Sequence, residues 1–326
     1  MIEQRVSRPG LLFALAAFSF WGLAPVYFKA LEHLSAWEIT AHRVIWALVG
    51  LSLVLLLRDG PHALWRPLAR PRQLAWLLLT AVLIVINWTT FVWATTNDRV
   101  LETSLGYFIN PLVNVMLGML FLGERLRRAQ WIAVALAAAA TANLVLGHGS
   151  FPWVSLTVAF SFGFYGLIRK RLEVGAVTGL YVESLLLAPL ALGLLWWMHQ
   201  QGLAGFLLVD WRTDLLLLAA GPVTIFPLLC FGLAAHRLTL STLGLMQYLA
   251  PTITFLLAVL VYKESFSLAY QISFAVIWTA LAIYSVDMLH NANRQRRLRR
   301  TARTIDPAVA TANMYSPKSN PDSKQL

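Results

Sequence analysis

Arg43 and Glu183 are the only Asp, Glu, Lys or Arg residues that lie well inside the long apolar runs of this chain. A charge at membrane depth is costly and marks a functional site by default. A guanidinium there can hold an anionic group of a solute or serve a gate, and a carboxylate can hold a cation or carry a coupling proton. The bland readings are that Arg43 snorkels toward the surface and that Glu183 is a hydrogen-bond partner for a neighbouring helix. His42, beside Arg43, reads as a packed polar residue before a proton relay. Uncharged polar side chains recur at helical spacing in three places. Thr80, Asn87, Thr90 and Asn97 form one stripe, Tyr107, Asn110 and Asn114 a second, and Gln247 and Thr254 a third. An unpartnered polar group is expensive in hydrocarbon, so these stripes must face other helices or a wet cavity. Trp21, Trp88, Trp93, Tyr107, Tyr165 and Tyr248 lie on or beside them and can form stacking walls for a planar or cationic solute.

No other chemistry is offered. The sequence has no paired intramembrane carboxylate, no His cluster at metal spacing and no glycine-rich nucleotide loop. Its single cysteine, Cys230, excludes an intramolecular disulfide and a multi-Cys metal site. No cofactor, metal or catalytic residue is implied.

The elements that must position these residues are apolar helices. Of 326 residues 58% are hydrophobic and only 13% charged, where a soluble domain carries roughly 25% charged. Mean hydropathy is +0.65. A helix crossing the hydrocarbon core needs about 20 apolar residues. The runs 11–29, 39–57, 74–96, 103–122, 129–146, 152–168, 176–198, 215–235, 239–261 and 268–288 meet that condition. The fold class is therefore an all-α polytopic membrane protein with ten transmembrane helices. Six prolines (Pro25, Pro111, Pro189, Pro222, Pro227 and Pro251) sit in or beside these runs and suggest discontinuous helices around a cavity.

The net charge of +11 does not point to nucleic acid, because the positives act as topology signals. With the N-terminus inside, the inner segments hold Arg5, Arg8, Arg58, Arg66, Arg70, Arg72, Arg125, Arg127, Arg128, Arg169, Lys170, Arg171 and Arg237, and the tail adds more. The outer segments hold only Lys29, Arg99, Arg212 and Lys263. The positive-inside rule then places both termini in the cytoplasm. The basic tail 290–326 lacks apolar periodicity and is expected to be disordered, its arginines near lipid head groups.

At one shared offset Phe91 and Ala94 meet Phe231 and Ala234, Pro111 meets Pro251, Glu124 meets Glu264, and Arg43 meets Glu183. Ala17-Phe18-Ser19-Phe20 also resembles Ala159-Phe160-Ser161-Phe162. The period holds five spans, so the second unit enters the membrane from the opposite side. Inverted five-helix units are an architecture of secondary transporters, with the solute site near the midplane. Glu124 and Glu264 end two of the spans against the helix dipole. Each needs a partner, for which Lys29 and Lys170 are candidates.

Asn87-Trp88, Ser104-Leu105-Gly106-Tyr107-Phe108-Ile109-Asn110-Pro111-Leu112, Phe121-Leu122-Gly123-Glu124-Arg125-Leu126 and Gln130-Trp131 resemble the RarD proteins, EamA-type members of the drug/metabolite transporter (DMT) superfamily. Ala41-His42-Arg43 and Ser161-Phe162-Gly163-Phe164-Tyr165-Gly166-Leu167-Ile168-Arg169-Lys170 fit the same pattern. The likeness runs from about residue 11 to 289. It implies a bacterial inner-membrane permease with a cytoplasmic segment 1–10, a first EamA repeat over 11–147, a second over 152–289 and a cytoplasmic tail 290–326. It also implies efflux of a drug or metabolite without ATP. The expected cavity takes Asn87, Trp88, Tyr107, Asn110, Asn114, Gln247 and Tyr248, with Trp21, Ser161 and Tyr165 from the first helices of each repeat. Arg43 and Glu183 hold charged groups of the solute, a gate or a proton. A membrane-embedded enzyme or a non-transporting sensor is the alternative.

The topology carries its own test. In a Cys230→Ser background, an impermeant thiol reagent should label Gly149→Cys and Arg237→Cys from opposite faces of the membrane. Labelling of both from one face contradicts the assignment.

Overall fold

The computed structural model describes residues 8–123, 126–148, 151–172, 174–235, 237–238, 242–243, 246–287 and 289–290. Among them the chain is helical, with no strand. In chain order the helices are α1 (Arg8–Lys29), α2 (Ala36–Asp59), the short α3 (His62–Trp65), α4 (Pro71–Thr96), α5 (Val100–Leu122), α6 (Arg128–His148), α7 (Trp153–Arg171), α8 (Ala176–Gln200) and α9 (Trp211–Ala235). Then come α10, an α-helix over Leu249–Leu256 that widens into a π-turn over Leu257–Val261, and α11 (Leu268–Asp287). Eight of them (α1, α2, α4, α5, α6, α8, α9 and α11) are long and apolar enough to cross a membrane. The expected runs 152–168 and 239–261 fall on α7 and, over its described part, on the shorter α10.

Local signals explain the boundaries. Ser35 caps α2 by accepting from the Trp37 N–H, Pro71 opens α4, and Gly123 closes α5 in the left-handed conformation that glycine adopts without strain. The prolines behave differently from the sequence expectation. Pro25, Pro111, Pro189, Pro222 and Pro227 all sit inside unbroken helices. Each removes one ladder bond, and the turns on either side hold the helix together.

The helices meet in reciprocal pairs. α5 lies on α7 while α10 lies on α1; α9 lies on α1 while α4 lies on α7; α2 lies on both α8 and α9, and α4 lies on α8. Small residues set the closest approaches. A Cβ at Gly22 of α1 would meet Ile253 and the Ala250 carbonyl of α10, and one at Gly163 of α7 would meet Val113 and Leu117 of α5. At Gly106 of α5 it would sit 2.6 Å from the Ser155 oxygen of α7. Such contacts bring helix backbones together where no hydrophobic force acts between them. α6 and α11 are joined by Asn143, whose Nδ2 donates to the Ala269 carbonyl at 2.8 Å and to Ser273 Oγ at 2.9 Å. Ser273 Oγ returns a bond to the Ala140 carbonyl.

Candidate functional site

The polar stripes of α4, α5 and α7 close on one another inside the bundle. Asn87, 1% exposed, is the hub. Its Nδ2 donates to the Val158 carbonyl at 3.0 Å and to Ser161 Oγ at 3.1 Å, and its Oδ1 accepts from the Tyr107 hydroxyl at 3.2 Å. One side chain of α4 thus ties α5 to α7. One turn along α5, Asn110 Nδ2 donates to the Ala159 carbonyl, and Asn114 Nδ2 donates to Asn110 Oδ1, each at 3.0 Å. Asn114 is itself exposed, so the ladder runs from a dry core to an accessible edge.

Toward the end of the bundle that carries Lys29 lies Arg43. It is buried at 8% exposure and does not snorkel. Its Nε donates to Thr224 Oγ1 of α9 at 3.3 Å. Its guanidinium carbon lies 4.3 Å from the Trp88 ring centroid and 5.0 Å from that of Phe28. The hydroxyls of Tyr27 and Tyr107 are within its electrostatic reach. No carboxylate pairs with it among the described residues.

Toward the opposite end lies Glu183, fully buried. Its Oε1 accepts from Thr80 Oγ1 of α4 at 2.7 Å, and its Oε2 accepts from the Tyr165 hydroxyl of α7 at 3.3 Å. Arg169 Nε stands 3.8 Å from Oε1. The two charged centres do not touch, yet rings connect them. Tyr107 meets Phe162 edge-on at 6.3 Å, and Phe162 stacks on Tyr165 at 6.0 Å and 27°. Arg43 lies within electrostatic reach of Tyr107, and side-chain contacts run on from Tyr107 through Phe162 and Tyr165 to Glu183.

Of the expected site residues, the structure joins Arg43, Asn87, Trp88, Tyr107 and Ser161 in one cluster, and Tyr165 and Glu183 in a second. Asn110 and Asn114 continue the first along α5. Trp21 lies apart, its ring 5.7 Å from Phe18 and 5.8 Å from Phe231 of α9. Gln247 is exposed ahead of α10, and Tyr248 packs beside the core of α5, α6 and α11. Sequence reasoning missed Thr80 as a ligand of Glu183, Arg169 as its ion partner, and Phe162 as the link. Arg169 counted only as a loop charge, although its place on α7 is one turn beyond Tyr165. Glu38 was missed as well. It begins α2, is fully buried, and accepts from the Gly205 and Phe206 N–H groups at 2.7 and 3.1 Å, pinning the loop between α8 and α9.

The Lys29 end is latched. Glu264, after α10, accepts from the Val100 N–H at 2.6 Å and the Leu101 N–H at 2.8 Å, so it caps α5 and satisfies the dipole there. Burial pushes its carboxyl above the ordinary range, and the two N–H groups pull it back. Lys29, the expected partner, pairs instead with Asp98 and Glu32. The reason is geometric: free N–H groups at a helix start bind a carboxylate directly. Glu124, the counterpart of Glu264, lies outside the described residues.

The comparisons with known proteins follow the same lines. Residues 8–146 match the EamA-like transporter family. An uncharacterized transporter of Vibrio cholerae is 48% identical over 297 residues, covering 91% of this chain and 98% of its own. Protein RarD of Escherichia coli is 44% identical over 293 residues, with 90% and 99% covered. The chloramphenicol-sensitive protein RarD of Pseudomonas aeruginosa is 35% identical over 298 residues, with 90% and 99% covered. A protein of known crystal structure shares the fold at a TM-score of 0.55 and 18% identity, over 84% of this chain and 96% of that one.

Removing the hub should be costly. Asn87→Ala leaves the Tyr107 hydroxyl, Ser161 and the Val158 carbonyl short of a partner, each a loss of about 1–3 kcal/mol when no water replaces it. The melting temperature of the purified protein should fall clearly. An unchanged melt means that water reaches Asn87.

Proposed function

The chain belongs to the RarD family of EamA-like membrane transporters, and on that premise we propose that it moves a small organic solute by alternating access, without ATP. Membership makes it a multi-pass membrane transporter. The finer reading is ours: ten membrane helices in two inverted repeats over 11–147 and 152–289, both termini in the cytoplasm of a bacterial inner membrane, and efflux of a drug or metabolite. The observation that carries it is the series from Arg43 to Glu183. It crosses most of the bundle and takes side chains from both halves of the chain, as a path at a repeat interface must.

Two further features support the reading. The helix neighbours are reciprocal: the fourth long helix of the first half lies on the first of the second half, and α10 repeats this against α1. Gly22 and Gly163 occupy corresponding close approaches in the two contacts. One end is latched through Glu264 and Lys29, whereas Asn114, Phe162 and Gln247 are exposed toward the other. The asymmetry supports a carrier closed on one side. In an inverted repeat the second state exchanges the roles of the ends, and the latch must yield for that to happen. The solute-facing set is Asn87, Trp88, Tyr107, Asn110, Asn114, Ser161 and Tyr165, flanked by Arg43 and Glu183. Trp21, Gln247 and Tyr248 stand at the approach from the open end.

The first test is metabolite profiling by mass spectrometry inside and outside cells that lack, express or overexpress the chain. One compound class should fall inside and rise outside with expression. If no compound moves between compartments, efflux is overturned.

Glu183 is the proposed proton carrier, because Thr80, Tyr165 and Arg169 surround a fully buried carboxylate. In liposomes Glu183→Gln should abolish flux driven by a pH gradient and leave exchange of solute for solute intact. Unchanged pH dependence removes Glu183 from coupling.

A further inference from the structure

Among the described residues, Arg43 is a buried charge whose hydrogen-bonding capacity is mostly unspent. Guanidinium has five N–H donors and no acceptor. Here Nε alone has a partner, Thr224 Oγ1, and among the described residues nothing accepts from Nη1 or Nη2. The groups nearest to it are engaged elsewhere. The Tyr27 hydroxyl donates to the Leu216 carbonyl at 2.6 Å and that of Tyr107 donates to Asn87. Phe28 and Trp88 present ring faces, which attract the cation but offer the N–H fork no oxygen. The buried acid of the same helix, Glu38, lies five residues earlier; its Oε1 is committed to two backbone N–H groups, its Oε2 is unpartnered, and no ion pair joins it to Arg43. Glu183 belongs to the far cluster.

With Nε occupied, the fork left open is the end-on pair, Nη1 and Nη2. That edge matches the two oxygens of one carboxylate. Among the described residues no lysine or second arginine acts on Arg43, and a single cation suits a monoanion better than a phosphate dianion. The surroundings specify the rest. Trp88, Phe28, Tyr107 and Phe91 make an aromatic wall, and the next polar group along the series, Asn87, is already saturated. We propose that Arg43 is an anion-binding residue and that the transported solute is a monocarboxylate with a planar or apolar body, its carboxylate on the Nη1/Nη2 edge of Arg43. This rests on the transporter reading, and it names the class of cargo.

The test uses purified full-length protein and two pairs of probes, benzoate against benzamide and phenylacetate against phenylacetamide. Binding is read by tryptophan fluorescence and calorimetry. In the natural chain each acid should bind roughly ten- to a hundredfold more tightly than its amide, the value of a charge-assisted paired contact. Arg43→Gln should bring the acid to the level of the amide, and Arg43→Lys, a point charge without the fork, should restore part of the preference. Equal binding of acid and amide, binding of neither, or a preference that survives Arg43→Gln overturns the proposal. If Arg43→Gln fails to fold, a reduced acid preference in Arg43→Lys supports it and an unreduced one overturns it. Liposome flux separates this from the reading beneath it. Acid-selective binding with no flux of any probe sinks the transporter reading and leaves the anion site standing. Flux of the amides equal to that of the acids sinks the anion site and leaves the transporter.

Discussion

Between helices in a membrane, a polar atom has no water to turn to, so every buried donor and acceptor must find a protein partner or pay the cost of going without. That constraint organises this molecule. Asn87 answers it with three bonds, and in doing so fixes how α4, α5 and α7 sit together. Asn143 does the same for α6 and α11. Glu264 answers the related problem of a helix start, and Glu38 that of a loop. Each of these four side chains decides a contact that apolar packing against lipid-like side chains would leave loose.

The same constraint makes incomplete bonding informative. Several buried polar atoms, Glu38 Oε2, Thr40 Oγ1 and Ser184 Oγ among them, have no partner. Arg43, which carries a full positive charge, is the most telling case, held by one hydroxyl and two rings. Glu183 sits at the other extreme, with three partners drawn from α4 and α7. One centre is short of a ligand and the other is well supplied. They lie toward opposite ends of a ring-lined series.

Much of this was legible in the sequence because hydropathy and charge act locally. Arg43 and Glu183 were conspicuous against apolar runs, and helical spacing put Asn87 and Asn110 on inward faces, whereas Asn114 ended on an exposed edge. The stripe could not say who would bond to whom. Thr80 meets Glu183 across a long stretch of chain, and no local pattern announces a pairing set by how two helices cross. Phe162 looked like any aromatic residue in lipid until Tyr107 and Tyr165 were found on either side of it. The partner of Glu264 was misjudged for a similar reason. Charge matching suggests a lysine, whereas the winning donors are backbone N–H groups, which sequence does not display. The prolines of α1, α5, α8 and α9 were over-read as breaks, since a missing bond in a long helix is a local defect that neighbouring turns absorb.

The unpaired guanidinium on α2 has an electrical consequence. Arginine keeps its charge in proteins, and a charge carried across a polarised membrane does work of about 2.3 kcal/mol for each 100 mV. Any rocking of α2 that shifts Arg43 through part of the membrane is therefore weighted by voltage while the site is empty. An anion seated on the same fork cancels the charge and with it the weighting. The empty and loaded forms of the protein then feel the cell's resting potential differently, and polarisation alone biases which of them changes shape.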